Sequence, residues 1–328
     1  MHTSHDPRQR FLHQALAAAP CTVAPVAGDA SFRRYYRVET AQERFILMDA
    51  PPDKEDSGPF LDIDRFLVRF GVPVPRIVQA DLASGFVLLE DFGDLTFLEA
   101  IRQQRDPRLL YQAAVETLLA IQATPLDGSC IAHQRPFDRA MLRRELALFT
   151  DWYIEQIRNL SITAEDRQRF DLQFDRLLDE IVQQPVVFVH RDYHSRNLMW
   201  HQERRVGVLD FQDAVVGPIT YDLASLLRDC YVAWDEAFRE EIITLWLAGA
   251  RDRLGYTPRD RQSFQRAFDW MAVQRNLKAV GIFGRLSRRD GKHGYLEDIP
   301  RTMGYVRPTL ACYPELAELA ELIDRYAP

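Results

Sequence analysis

The first ninety residues carry apolar runs and alternations of strand length. Tyr35 to Glu39, Arg44 to Ala50 and Phe86 to Glu90 stand between turn-forming residues and predict a small sheet. One short helix interrupts it, over Phe60 to Phe70. This helix follows the polar, proline-bearing loop Pro51 to Gly58 and cannot continue through Gly71-Val72-Pro73-Val74-Pro75, because proline lacks the N–H and crowds the preceding turn. From Leu95 onward the period becomes helical. Leu110, Ala114, Leu118 and Ile121 share one face behind the cap and first-turn proline Asp106-Pro107. Thr163-x-x-Asp166 predicts a capping box opening a helix with apolar face Phe170, Phe174, Leu177, Leu178 and Ile181, which Pro185 forces to end at Gln184. Met141 to Ile157, Tyr221 to Trp234, Ala237 to Leu254 and Pro258 to Leu286 read as further helices. The expectation is an α+β chain of two lobes, a small sheet-bearing one over residues 1–93 and a larger helical one over residues 94–328, joined near Glu90 to Asp94.

Three short apolar runs break the helical half: Pro185 to Val189, Asn197 to Trp200, and Arg205 to Leu209, the last two separated by polar His201 to Arg204. At their ends stands the chain's most informative segment, His190-Arg191-Asp192-Tyr193-His194-Ser195-Arg196-Asn197, with Asp210-Phe211 following. Phosphoryl transfer by a kinase-type loop needs an Asp to receive the proton of the attacking hydroxyl, an Asn five residues on for Mg²⁺, and a second Asp on a following strand. Those roles fall on Asp192, Asn197 and Asp210. In a fold of the kinase type a loop His and a later Asp brace this loop, and His190 and Asp222 are the residues that a resemblance to that fold puts in those places. Asp213 is either a ligand or a turn-forming carboxylate before Gly217-Pro218.

Composition fits a globular chain of 328 residues, 47% hydrophobic and 27% charged. A formal net charge of -7 argues against a general nucleic-acid or membrane-surface binder, both of which need concentrated Lys and Arg. Small molecules are the expected partners. Cys21, Cys130, Cys230 and Cys312 lie far apart without Cys-x-x-Cys, so buried free thiols are expected instead of a zinc site or disulfide framework. Met1 to Ala19 lacks an apolar core and nowhere do eighteen apolar residues run together, which points to the cytoplasm. The oligomeric state is not legible.

Gly28-Asp29-Ala30-Ser31-Phe32-Arg33-Arg34 is either an ordinary hairpin turn or a loop lying over phosphates through its N–H groups. On the second reading Ser31, Arg33 and Arg34 contact the nucleotide. The connector near Glu90 to Asp94 is expected to read adenine through its backbone groups.

The chain resembles the aminoglycoside phosphotransferase and choline kinase superfamily. The resemblance rests on His190 to Asn197, Asp210-Phe211-Gln212-Asp213-Ala214 and Gly217-Pro218-Ile219-Thr220-Tyr221-Asp222-Leu223, and it covers the chain from about Gly28 onward. Leu47-Met48-Asp49-Ala50-Pro51-Pro52, Arg275-Asn276-Leu277-Lys278, Arg289-Asp290-Gly291-Lys292 and Asp298-Ile299-Pro300-Arg301 are similar to the bacterial amino-sugar kinases of cell-wall recycling. The resemblance implies a protein-kinase-like bilobal fold, ATP and Mg²⁺ between the lobes, and transfer to the C1 hydroxyl of N-acetylmuramate or N-acetylglucosamine. An aminoglycoside or choline-type kinase and a non-catalytic scaffold are the alternatives. One departure stands out: the third-strand lysine of the family falls at Met48, and its Glu partner is missing from Ser57 to Arg76, where the only acids are Asp62 and Asp64. Arg33 or Arg34 is expected to supply the missing cation.

Charge discriminates among acceptors. A polycationic antibiotic calls for an acidic pocket, whereas the lactyl carboxylate of N-acetylmuramate calls for Arg or Lys. The C-terminal half offers Arg275, Lys278, Arg285, Arg288, Arg289, Lys292 and Arg301. Candidate acceptor contacts are Arg196, Glu145, Asn276 and Lys278, with Trp152 and Tyr153 as aromatic platforms or core.

Overall fold

In the computed structural model, which describes residues 6–26, 32–201 and 205–328, β1 (Thr22–Pro25), β2 (Arg34–Glu39), β3 (Arg44–Asp49), β4 (Ile77–Asp81) and β5 (Phe86–Glu90) form one sheet. Its strand order is β1-β2-β3-β5-β4, antiparallel throughout. The apolar runs of β3 and β5 exist because both faces are covered. Phe45, Leu47, Phe86 and Leu88 pack under the first helix, α1 (Pro7–Ala15), with Phe11 and Leu12. The alternate residues Met48, Val87 and Leu89 face α2 (Gly58–Arg69) through Phe60, Ile63 and Leu67. Full burial of Met48 is worth about 2 kcal/mol. A lysine at that position would have to carry its charge into this core.

The remainder is helical: α3 (Phe97–Arg102), α4 (Pro107–Gln122), α5 (Arg139–Leu148), α6 (Ala164–Ile181), α7 (Tyr221–Leu227), α8 (Glu236–Leu254), α9 (Arg261–Asp290), α10 (Ile299–Ala311) and α11 (Ala317–Tyr326). Four short strands interrupt it, with β6 (Val186–Val189) pairing β9 (Val215–Pro218) and β7 (Leu198–His201) pairing β8 (Arg205–Val208). The fold is the bilobal α+β arrangement expected from the pattern. One hydrophobic core runs from the inner face of the sheet into the helices, and ring stacks Phe60–Phe211 at 4.9 Å and Phe66–Phe188 at 5.8 Å tie α2 to the strands that bear the site.

Several elements depart from the sequence pattern. The strands β1, β4 and β9 are additional, the first fully exposed and the others short, which leaves little periodicity to read. The helix expected from Tyr221 to Trp234 stops at Leu227, and the next residues form a loop carrying Asp229, Cys230 and Tyr231. The expected helix Met141 to Ile157 is α5 followed by a π-helical segment over Phe149–Ile157. There α9 presses close. A Cβ at Gly281 would stand 2.3 Å from the Leu148 carbonyl carbon, so only glycine admits the backbone approach there, and one at Gly284 would be tight at 3.1 Å from Trp152. Thr163 caps α6 by accepting from the Asp166 N–H at 3.1 Å, but Asp166 is drawn to Arg325, Arg169 and Tyr326 and leaves the capping box half made. The four cysteines are free, yet Cys312 is exposed and Cys21 half-buried, against the expectation of burial. Among the described residues no helix is long and apolar enough to cross a membrane.

Candidate active site

The loop after β6 is held rigid before any chemistry is considered. The N–H groups of His190 and Arg191 donate to the two carboxylate oxygens of Asp222, at 2.7 and 3.0 Å. His190 is buried, its Nε2 lies 2.8 Å from the Leu209 carbonyl, and its Nδ1 accepts from the Asp192 N–H at 3.2 Å; the neutral Nε2–H tautomer satisfies both. Burial favours that neutral form by lowering the His190 pKa and pushes the Asp222 carboxyl up to about 6, opposed by His190 and the two backbone donors. A second buried carboxylate, Asp229, accepts from the Ser195 N–H at 2.9 Å. These bonds hold Arg191 at φ 79°, a left-handed conformation that costs a non-glycine residue about 1 kcal/mol or more. Both His190 and Asp222 therefore brace the loop.

The braces bring the three spaced residues together. The Asn197 side-chain amide donates to the Asp192 carbonyl at 3.0 Å and to Asp210 Oδ2 at 3.3 Å, while Gln212 donates to Asp210 Oδ1 at 2.7 Å. The Leu209 N–H bonds the Asn197 carbonyl at 2.9 Å, closing the β7–β8 hairpin, and Asp210 follows at φ 64°. The amide oxygen of Asn197 and the carboxylate of Asp210 are hard donors of the kind Mg²⁺ takes alongside water and phosphate oxygens. Among the described residues no three His, Cys, Asp or Glu side chains cluster to hold a metal unaided, so these two residues fit a metal that shares its ligands with a substrate.

A cavity of about 670 Å³ opens over this point, bounded by Arg33, Tyr35, Glu55 and Pro59 on the sheet side and by α9 on the other. Its near end holds Asn197, Asp210, Gln212, Asp213, Arg135 and the ion pair Arg33–Glu55, at 3.6 Å. Its far end holds Arg196, Tyr231, Arg275, Lys278, Phe283, Arg285 and Tyr295. Asp192 stands where they meet, its side chain 37% exposed and Oδ1 3.8 Å from the buried Lys278 Nζ. Burial works to raise the Asp192 pKa, but Lys278, Arg191 and Arg275 outweigh it and hold the carboxyl far below the usual range. His194 adds no charge near pH 7, since burial lowers its own pKa to about 4. Lys278 also donates to the Tyr221 hydroxyl at 3.0 Å and lies 3.5 Å from Glu145 Oε1.

Of the residues expected in the site, Asp192, Asn197, Asp210, Arg196, Lys278 and Arg33 line the cavity; Ser31, and the turn from Gly28 to Ser31, lie outside the described residues. Others are elsewhere. Arg34 is exposed on β2 and off the cavity wall. Glu90 accepts from the Arg76 N–H and faces His201, also off the wall. Glu145 is buried behind it, bonded to Arg191 at 2.6 Å and to Gln274 at 3.2 Å, because two buried cations require an anion beside them. Asn276 points the other way, donating to the Arg228 carbonyl at 3.0 Å. Trp152 and Tyr153 do not line the cavity, and Tyr153 packs against Phe149. The sequence reading missed Asp229, Tyr231, Phe283 and the clamp in which Arg37 bonds Asp91 at 2.7 Å and Asp94 at 2.8 Å across the connector. Asp229 and Tyr231 stand on a loop without periodic signal, whereas Phe283 on α9 and Arg37 on β2 read along the chain as ordinary helix and strand positions.

The profile of the phosphotransferase enzyme family matches residues 22–257. The chain belongs to this family. It is 41% identical over 304 residues to the N-acetylmuramate/N-acetylglucosamine kinase of Pseudomonas aeruginosa, covering 93% of this chain and 88% of that protein. The protein of the same name from Pseudomonas putida is 41% identical over 302 residues, with 92% and 87% covered. Among solved structures, choline kinase from Cryptosporidium parvum superposes with a TM-score of 0.61 at 15% identity over 97% of each chain, a likeness of fold. The sequence resemblance to this superfamily is thereby borne out, and the chain is an enzyme of the kinase class.

Proposed function

We propose that this enzyme transfers the γ-phosphoryl group of ATP to the anomeric hydroxyl of N-acetylmuramate or N-acetylglucosamine, releasing ADP and a sugar 1-phosphate, in the recycling of cell-wall fragments. The reaction belongs to the cytoplasm, where ATP is available. Residues 1–93 carry the nucleotide, and residues 94–328 carry the acceptor and metal ligands. The named relatives support the acceptor class. One observation carries the reading: Asp192 faces Lys278 at 3.8 Å on the cationic side, while its own carbonyl accepts from Asn197, which bonds Asp210, on the other.

In this reaction Asp192 Oδ orients the acceptor hydroxyl and takes its proton as the oxygen attacks the γ-phosphorus. The bond from γ-phosphorus to the bridging oxygen breaks, and ADP leaves with the electron pair. A loose transition state needs the hydroxyl oriented more than deprotonated early, so a strongly acidic Asp192 suffices. Lys278 keeps that carboxylate ionised and fixed. Asn197 and Asp210 are the residues that would hold Mg²⁺, which when bound neutralises charge on the phosphates. Arg33, backed by Glu55, lies on the nucleotide side and takes the place of the absent third-strand lysine. Release of ADP that requires N-acetylmuramate or N-acetylglucosamine, and fails with kanamycin, choline or a protein acceptor, is the expected result. Turnover only with kanamycin or choline would refute the acceptor class.

A further inference from the structure

We infer that Arg285 is the anion anchor of the acceptor end, binding the lactyl carboxylate of N-acetylmuramate and making the enzyme prefer that sugar over N-acetylglucosamine. The inference rests on the proposed function and deepens it. Arg275, Lys278, Ile282 and Arg285 are spaced along α9 so that one face of the helix forms the far wall of the cavity. Two of these cations are already engaged. Lys278 has Tyr221, Glu145 and Asp192, and Arg275 lies 3.5 Å from both the Arg228 carbonyl and the Cys230 sulfur. Arg285 differs. Its Nε is buried without a partner, and among the described residues no carboxylate lies within ion-pair distance of it. Asp290, the acid nearest in sequence, is taken by Arg289 at 2.8 Å, and Arg289 itself adds like charge beside Arg285. Burial and that like charge lower the Arg285 pKa, the condition that an arriving anion relieves.

The geometry suits this particular anion. Arg285 is two turns beyond Lys278, about 10 Å along the helix axis, and helical side chains lean back toward the N-terminus. Arg285 and Asp192 line the same cavity, and the spacing along the helix leaves room between them for a sugar. In the same cavity the Phe283 and Tyr295 rings stack at 5.7 Å, and Tyr231 carries the Arg196 guanidinium at 3.6 Å, an aromatic wall for a sugar face. A sugar whose C1 hydroxyl meets Asp192 then turns the lactyl group on its C3 oxygen toward Arg285. N-acetylglucosamine has no such group, and the guanidinium fork matches a carboxylate bidentately.

The test uses the full-length enzyme with wild-type Arg285, Arg285→Ala and Arg285→Lys. Steady-state kinetics are measured with N-acetylmuramate, its lactyl methyl ester, N-acetylglucosamine and, separately, varied ATP. The expected result is a roughly 10- to 100-fold loss of kcat/KM for N-acetylmuramate in Arg285→Ala, carried by KM. The ester and N-acetylglucosamine should change by less than about threefold, the KM for ATP should hold, and Arg285→Lys should recover part of the loss. Equal losses on all three acceptors, or none on N-acetylmuramate, would overturn the assignment of Arg285 alone. A raised KM for ATP would reassign Arg285 to a nucleotide phosphate. A wild-type enzyme inactive on both sugars would overturn the proposed function and this inference with it.

Discussion

The two ends of the cavity are built by different rules. The near end is made of strand ends and tight loop: Asp192, Asn197 and Asp210 lie within nineteen positions of sequence, Asp210 and Arg191, just before the segment, are held at positive φ, and buried carboxylates brace the backbone. The far end is made of one long helix and the side chains that a distant loop and turn lay against it, with Arg275, Lys278 and Arg285 on α9 facing Arg196, Tyr231 and Tyr295. Chemistry shared by a family tolerates no change in relative position, so it sits on a local, strained, over-determined loop. On the proposed function, acceptor choice rests on side chains of a rigid helix, which can be exchanged without moving the backbone.

That contrast breaks first at Asp192. Asp192→Asn should lower kcat by about 10²- to 10⁴-fold while leaving the affinity for ATP nearly intact, measured by single-turnover assay and nucleotide titration. A large loss of nucleotide binding would make Asp192 a metal ligand and move it from the junction to the near end. Next comes the brace. Asp222→Ala strands two buried N–H groups, and about 3 kcal/mol of stability should go with it, read as a lower midpoint in urea with activity lost in parallel.

The sheet-side helix supplies a third test. Asp64 on α2 is buried with Oδ2 unpartnered, and burial pushes its carboxyl up to about 7 against the opposing charge of Arg65. Its folded pKa exceeds the unfolded one, so the stability it contributes is present in full below about pH 4 and is lost as pH rises to about 7. The loss is of the order of 4 kcal/mol. Asp64→Asn should flatten this slope and leave turnover unchanged; altered turnover would mean that an α2 acid serves the nucleotide after all. The smallest effect is expected at Arg33, where Arg33→Ala should raise the KM for ATP about tenfold, against no change for Arg34→Ala. Equal effects would place the cation requirement elsewhere.

How much of this was readable along the chain follows the same division. The His190–Asn197 and Asp210 spacing announced the near end, because loop and hairpin are local and their residues meet by chain proximity. The lobes were readable from the switch between strand and helix periods. Arg196 and Lys278, expected as acceptor contacts, line the cavity, but Asn276, only two positions from Lys278, faces away, since 200° of helical turn separates them. Glu145 was misread because its chemistry suits a sugar equally well; only the fold reveals the two cations, Arg191 and Lys278, that claim it. The break of the expected helix at Leu227 follows from the demand of the catalytic loop for Asp229, a long-range constraint invisible to propensity.

On the proposed function, the metal-and-phosphate end and the cationic end of the cavity meet at Asp192, and the hydroxyl presented there is anomeric. Phosphorus NMR of the product formed from ATP and N-acetylmuramate tests it most directly. One phosphomonoester signal whose splitting traces to the single anomeric proton is expected. Coupling to the paired C6 methylene protons would contradict it.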